Sequence, residues 1–242
     1  MPLSRAAALI MAGSSIQDLR ERGVLPAEGD NTLMPLTQPI AVKEAVLPFK
    51  RFRTASGRSV DSILGPEMRS TGEVMGMDRT FPRAFAKGQL AIAGKGLPTS
   101  GTVFISVADS EKRAIVFPAK RLLDLGFEIV ATAGTAGILR RNGVDCTLTR
   151  KKSEAADGSS EPTIIDLIDT GKIDMVVNTP TGSSARADGY AIRASTTSID
   201  VPIMTTISEF SAAVQAIESL ADGPFDVMSL QEHQRDLEGV RR

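Results

Sequence analysis

Glu128-Ile-Val-Ala-Thr-Ala-Gly-Thr-Ala-Gly137 is the stretch on which the fold turns. Ile129 and Val130 are the apolar centre of a buried strand, and Thr132-Ala-Gly-Thr135 breaks that strand into a helix starting near Thr135. Gly134 permits close approach of the backbone to a ligand, and Thr132 and Thr135 bring hydroxyls. A helix start aims unpaired N–H groups and a positive dipole end at an anion, so a phosphate fits here. Gly and Thr are also ordinary turn residues, so the weight falls on the rest of the chain.

Working outward, strands alternate with helices. Val103–Val107 is a strand and Lys112–Leu125 a helix with Ile115, Val116, Ala119, Leu122 and Leu123 inward. After the central strand and its helix to Asn142, Cys146–Thr149 is a third strand and Thr163–Thr170 a helix ended by Gly171. Ile173–Val177 is a fourth strand, Asp188–Ser198 a helix, and Val201–Thr205 a fifth strand. Thr206-Ile-Ser-Glu209 is the signature of a capping box opening a last helix, and His233 falls in a polar tail. The fold class is α/β: about five mainly parallel strands with helices on both faces.

The first hundred residues differ. Pro2–Gly13 and Ser15–Arg22 are short helices, Pro26–Pro39 a loop, Ile40–Leu47 a strand, Arg51–Asp61 a basic loop and Thr80–Ala93 a helix. Leu64–Gly76 carries three glycines and a proline beside apolar Met68, Val74 and Met75. No compact alternation completes this part, which resembles the end of a larger domain. The boundaries expected are 1–93, a Gly/Pro/Ser linker at 94–101, and 102–242.

Composition narrows the function. The chain is 42% hydrophobic and 24% charged, as soluble domains are, and no apolar run reaches the length of a membrane span. A lone Cys146 excludes an internal disulfide and suits a reducing cytoplasm; with a single histidine, a zinc cluster or Ser/His/Asp triad has too few parts. Residues 1–100 hold 13 Lys+Arg against 9 Asp+Glu; the remainder holds 28−13 = 15 against 29−9 = 20. A basic first part and an acidic second describe two units, not a nucleic-acid binder.

In parallel sheets, ligands sit at the carboxyl ends of the strands. Those ends here carry Asp109, Ser110 and Lys112; Thr132 and Thr135; Arg150, Lys151 and Lys152; and Asn178, Thr179, Thr181 with Gly182-Ser183-Ser184. Lysines, hydroxyls and a helix start together describe a site for a phosphorylated small molecule, although polar loops at a sheet end are also common. Acid–base chemistry is poorly supplied: Asp109 is the nearest carboxylate and equally suits a helix cap, and Cys146 suits a buried inert thiol. No dinucleotide glycine fingerprint follows a strand, and Glu44, Glu67 and Glu73 have no metal-ligand spacing.

Val42-Lys-Glu-Ala-Val-Leu-Pro-Phe49 and Leu64-Gly-Pro-Glu-Met-Arg-Ser-Thr-Gly-Glu-Val-Met-Gly76 resemble the large subunit of carbamoyl phosphate synthetase. The likeness continues through Thr80-Phe81 and Ala84–Lys87. Ser106–Lys112, Ala131–Thr135 and Asn178-Thr179 resemble that subunit's methylglyoxal-synthase-like regulatory domain. The family's subunit is several times longer, so the resemblance implies its C-terminal end: the last piece of the second ATP-using, ATP-grasp domain and the complete regulatory domain. It implies that ATP and magnesium are handled upstream, leaving no cofactor, metal or catalytic residue here. The whole family enzyme makes carbamoyl phosphate for pyrimidines and arginine, with a small glutaminase subunit.

The family's regulatory domain binds nucleoside monophosphates, UMP as inhibitor and IMP as activator. Ser106, Lys112, Thr132, Thr135 and Asn178 match its contact positions, with Gly134, Thr179 and Thr181 beside them; the lysine after the third strand is Lys151 or Lys152. Pro180 stands where bacterial relatives can have a hydroxyl residue. Ornithine binds between the family's domains, and Glu44 and the backbone of Leu64 match contacts there. Two other readings stay open. One is a free-standing methylglyoxal synthase acting on dihydroxyacetone phosphate, a family with Asp-Pro where this chain has Thr179-Pro180. The other is a pure assembly module, because the family's regulatory domains contact one another and a homo-oligomer is expected.

Overall fold

The computed structural model describes residues 2–29, 38–52, 60–93, 95–151, 153, 162–179 and 185–240. Contacts divide the chain into two compact units, Met1–Gln38 with Leu237–Arg242, and Pro39–Asp236. In the first, α1 (Leu3–Met11) and α2 (Ile16–Glu21) close over Ala6, Leu19 and Val24. Ser15 opens α2 because its hydroxyl accepts the Asp18 N–H at 3.1 Å while the Asp18 carboxylate accepts the Ser15 N–H at 2.8 Å.

The larger unit begins with an antiparallel pair, β1 (Ile40–Val46) and β2 (Gly72–Asp78), in which Val42 faces Gly76. Sequence reasoning left β2 without an assignment, since its glycines weaken a strand pattern. Packing explains Gly76: a Cβ there would stand 2.0 Å from the Ala84 carbonyl oxygen of α3 (Phe81–Ala93), which lies directly on the strand.

The main sheet is wholly parallel. β3 (Thr102–Ser106), β4 (Glu128–Ala131), β5 (Thr147–Leu148), β6 (Met175–Asn178) and β7 (Ile203–Met204) stand in the order β5-β4-β3-β6-β7. The strands are Val/Ile-rich because both faces are covered. On one face Val103, Ile105, Ile129, Ala131, Met175 and Val177 pack against α4 (Val116–Asp124), α5 (Ala133–Arg141) and α8 (Ile207–Ala221). On the other, Phe104, Val130 and Val176 pack against α6 (Ile164–Asp169) and α7 (Ala185–Ser198). The alternation of 103 and 105 with 104 is the two-residue period of a strand. Phe85, Ala86 and Leu97 share the first cluster, so the segment before β3 contributes to the same core.

Three expectations change at element ends. The expected helix at 112–125 starts at Val116, after a single 3-10 turn at Asp109–Glu111. The capping box at α8 is half made: the Thr206 hydroxyl accepts the Glu209 N–H at 3.1 Å, but the Glu209 carboxylate accepts the Thr205 N–H at 3.0 Å. The polar tail containing His233 is a helix, α9 (Leu230–Val240). Its signal was Ser229-Leu-Gln-Glu232, where both reciprocal capping bonds form, at 3.2 and 2.6 Å.

Candidate functional site

The carboxyl ends of β3, β4 and β6, together with the segment after β5, converge on a cleft of about 520 Å³. It brings together Ser106, Lys112, Thr132, Gly134, Thr135, Lys151, Asn178 and Thr179, eight of the residues singled out in the sequence. Lys152 and Thr181 lie outside the described residues, as does Pro180.

The turn after β4 differs from expectation in one respect. Helix α5 starts at Ala133, with Thr132 in extended conformation as its N-cap, rather than at Thr135. A threonine at this position ordinarily caps the helix with its own hydroxyl. Here Thr132 makes no such bond; its Oγ1 pairs with Ser106 Oγ at 3.1 Å. Thr135 Oγ1 likewise turns to the sheet and accepts the Val107 N–H at 3.5 Å. The first bond inside the helix runs from Ala136 N–H to the Thr132 carbonyl at 2.8 Å. The first-turn N–H groups therefore remain aimed at the cleft without side-chain caps, which is the geometry that favours an anion.

Lys112 supplies positive charge above that turn. Its ammonium lies where a Cβ on Gly134 would approach to 2.6 Å, so the glycine leaves the space it occupies. It pairs with the Asp109 carboxylate at 2.6 Å, and Asp109 is 95% exposed. Lys112 by hydrogen bond and charge, and Lys151 by charge, hold the Asp109 carboxyl below its ordinary range.

The far wall is a network of buried polar groups. Thr179 Oγ1 accepts the Ala108 N–H at 3.0 Å, and Asn178 Nδ2 donates to the Ser106 carbonyl at 3.2 Å. Sequence reasoning missed the third wall, formed by Asp188, Gly189, Ile192 and Arg193 of α7. Arg193 is 1% exposed and donates to Asn178 Oδ1 and to both carboxylate oxygens of Asp61. Burial pushes the Asp61 carboxyl up, but the Arg193 guanidinium and the N–H groups of Ile63 and Ser62 outweigh it and hold the group below its ordinary range. Ile192 and Thr196 on the same helix are buried with it, a burial that follows from packing and that the sequence around Arg193 does not mark.

A second cleft of about 450 Å³ is lined by Glu44 and, unforeseen, Glu209. Leu64, expected beside Glu44, does not line it and is 59% exposed. Glu44 accepts a hydrogen bond from Gln89 at 3.0 Å. Burial pushes both carboxyls up, and the charge of Glu44 pushes Glu209 further. Two half-buried carboxylates that repel one another gain from a cation between them. Cys146 is buried beside β5, and burial raises its thiol, consistent with an inert side chain.

No helix among the described residues is long and apolar enough to cross a membrane. Residues 114–205 match the MGS-like domain family. Along nearly its whole length the chain is similar to carbamoyl phosphate synthase large chains. Identity is 59% with that of Beutenbergia cavernae, over 99% of this chain and 22% of the relative. It is 61% with that of Kineococcus radiotolerans, over 96% and 21%, and 57% with that of Clavibacter sepedonicus, over 96% and 21%. The chain thus spans about a fifth of the length of the curated relatives it matches.

Proposed function

Because this chain belongs with the C-terminal part of carbamoyl phosphate synthase large chains and carries their MGS-like domain, we propose that it is the effector-binding end of such a large chain. The cleft at the carboxyl edge of the main sheet takes a nucleoside monophosphate, UMP or IMP. The phosphate lies on the first-turn N–H groups of α5, between Lys112 and Lys151, and the sugar lies toward Asn178 and Thr179. In this reading residues 1–93 are the tail of an ATP-grasp domain. The working assembly includes the rest of the large chain, a glutaminase subunit and further copies, in the cytoplasm, and makes carbamoyl phosphate for pyrimidines and arginine with ATP and magnesium bound upstream.

The observation that carries this reading is the uncapped start of α5 with the Lys112 ammonium above it. A side chain able to satisfy the helix start instead bonds Ser106, which leaves the donors to a ligand. Proton abstraction from dihydroxyacetone phosphate would need a carboxylate at the substrate. Of the two acids lining the described cleft, Asp109 stands 95% exposed to water and Asp188 accepts the Ser153 hydroxyl at 2.8 Å, and Thr179 stands where a methylglyoxal synthase has its aspartate. The cleft holding Glu44 and Glu209 suits a diamino acid such as ornithine. Calorimetry with UMP, IMP and uridine tests the main reading: the monophosphates bind and uridine binds far more weakly. Equal affinities for UMP and uridine would refute it.

A further inference from the structure

A buried guanidinium is costly unless its donors are matched, and Arg193 is matched on three sides. Nε and Nη2 form a two-pronged pair with Asp61, at 2.6 and 2.7 Å, and Nη1 donates to Asn178 Oδ1 at 2.7 Å. Gly189, one turn earlier on α7, leaves the room: a Cβ there would come within 2.7 Å of Nη1 and 3.4 Å of Asn178 Oδ1. Arginine has no acceptor and the Ser106 carbonyl has no donor. Asn178 therefore has one amide orientation, oxygen to Arg193 and nitrogen to Ser106, and its second N–H, which meets no partner among the described residues, is left for the cleft it lines. Reversing the amide would set donor against donor and acceptor against acceptor.

Asp61 does not line the cleft; it stands 132 residues before Arg193, in the segment preceding β2, where it also accepts the Ile63 N–H at 3.2 Å. We propose that Arg193 is a positioning residue: anchored by Asp61, it holds Asn178 as a donor to the bound ligand and so couples occupancy of the cleft to the order of the 60–64 segment. The ligand group at Asn178 is accordingly an acceptor, such as a sugar oxygen. This inference rests on the reading of the cleft as a nucleotide site. Coupling between two sites is reciprocal, so a change at Asp61 must appear in ligand affinity and occupancy must appear at Asp61.

The test uses the 242-residue chain, the Asp61→Asn and Arg193→Lys variants, and UMP and inorganic phosphate as probes in calorimetry, with hydrogen exchange at Ile63. Asp61→Asn is expected to weaken UMP about fivefold or more, the lower end of ordinary coupling. It should leave inorganic phosphate, which does not reach Asn178, within about twofold. Arg193→Lys, which cannot span both oxygens of Asp61 and Asn178 together, should do the same. UMP should protect the Ile63 amide in the wild type and not in Asp61→Asn. Equal loss of UMP and phosphate would mean general loosening and would overturn the coupling, as would unchanged UMP affinity in Asp61→Asn. Wild type that binds neither probe would sink the nucleotide reading. The link is then decided in the ligand-free chain by the NMR signal of the Asn178 side-chain amide, which must shift in Asp61→Asn; an unmoved signal refutes it.

Discussion

Lys112→Ala is the most direct probe of the phosphate position. The Lys112 side chain is 18% exposed, and its ammonium overhangs the first turn of α5. A charge-assisted contact from such a group to phosphate contributes about 1.5–3 kcal/mol, or roughly ten- to a hundredfold in affinity. The gross figure must be reduced, because the ligand has to draw Lys112 from Asp109, 2.6 Å away. Asp109 is almost fully exposed, and an exposed ion pair shifts an equilibrium by at most about fivefold. With that competition taken at its full fivefold, the net loss for UMP in Lys112→Ala is still about two- to twentyfold. Asp109→Asn carries the opposite sign: freed of its partner, the ammonium should hold UMP up to about fivefold more tightly. Calorimetry at two salt concentrations gives a further check, since both differences shrink as salt screens the charges. Unchanged UMP affinity in Lys112→Ala, or weaker binding in Asp109→Asn, would refute the placement of the phosphate.

Gly134→Ala should hold or raise thermal stability, by up to about 1 kcal/mol for alanine in a helix. It should nevertheless weaken UMP, because its Cβ would lie 2.6 Å from the Lys112 nitrogen and push it aside; a melt and a titration on one sample separate the effects, and unchanged affinity would count against the argument. Glu44→Gln should raise the melting temperature at pH 7 and lose that advantage near pH 4.5. The folded-state carboxyl is raised above its ordinary 4.5, so its penalty appears as pH rises through that window and vanishes below it. An equal gain at both pH values would show that burial of charge is not the cause. Residues 101–242 alone should unfold cooperatively but melt below the whole chain, because Phe85, whose burial contributes about 1.5–3 kcal/mol, leaves the main core. A broad, non-cooperative melt would place the domain boundary elsewhere.

The parallel sheet was legible because its signal is local: Val103–Val107, Ile129-Val130 and Ile173–Val177 are mainly apolar stretches near turn residues, and each lies within or overlaps an observed strand. The cleft was legible for the related reason that strand ends are fixed once strands are. Thr132, Thr135 and Asn178 could be placed without knowing the strand order. What escaped was set by distance along the chain. Arg193 and Asp61 pair across 132 residues, and nothing near either residue announces the other. Gly76 looked like a strand breaker until α3 lay upon it. Glu209 looked like half of a capping box, and the proximity of Glu44, which raises it, follows from tertiary packing alone. The helix start at Ala133 rather than Thr135 was hidden because Thr132 spends its hydroxyl on Ser106 instead of on the helix.

The strand order β5-β4-β3-β6-β7 also governs when the cleft can exist during synthesis. Its floor joins Ser106 to Asn178 across 72 residues and Ala108 to Thr179 across 71. Closing such loops carries an entropic cost before any contact rewards it, and topologies built on distant pairings fold slowly. A nascent chain ending before β6 contains the α5 turn and Lys112 but lacks the opposite wall. A ligand that needs both walls binds only after β6 has docked beside β3, and it then stabilises the wound sheet as a whole by mass action. A ligand held in the cleft would in that way protect the folded sheet against proteolysis, with the protection spreading through β3, β4 and β6 together.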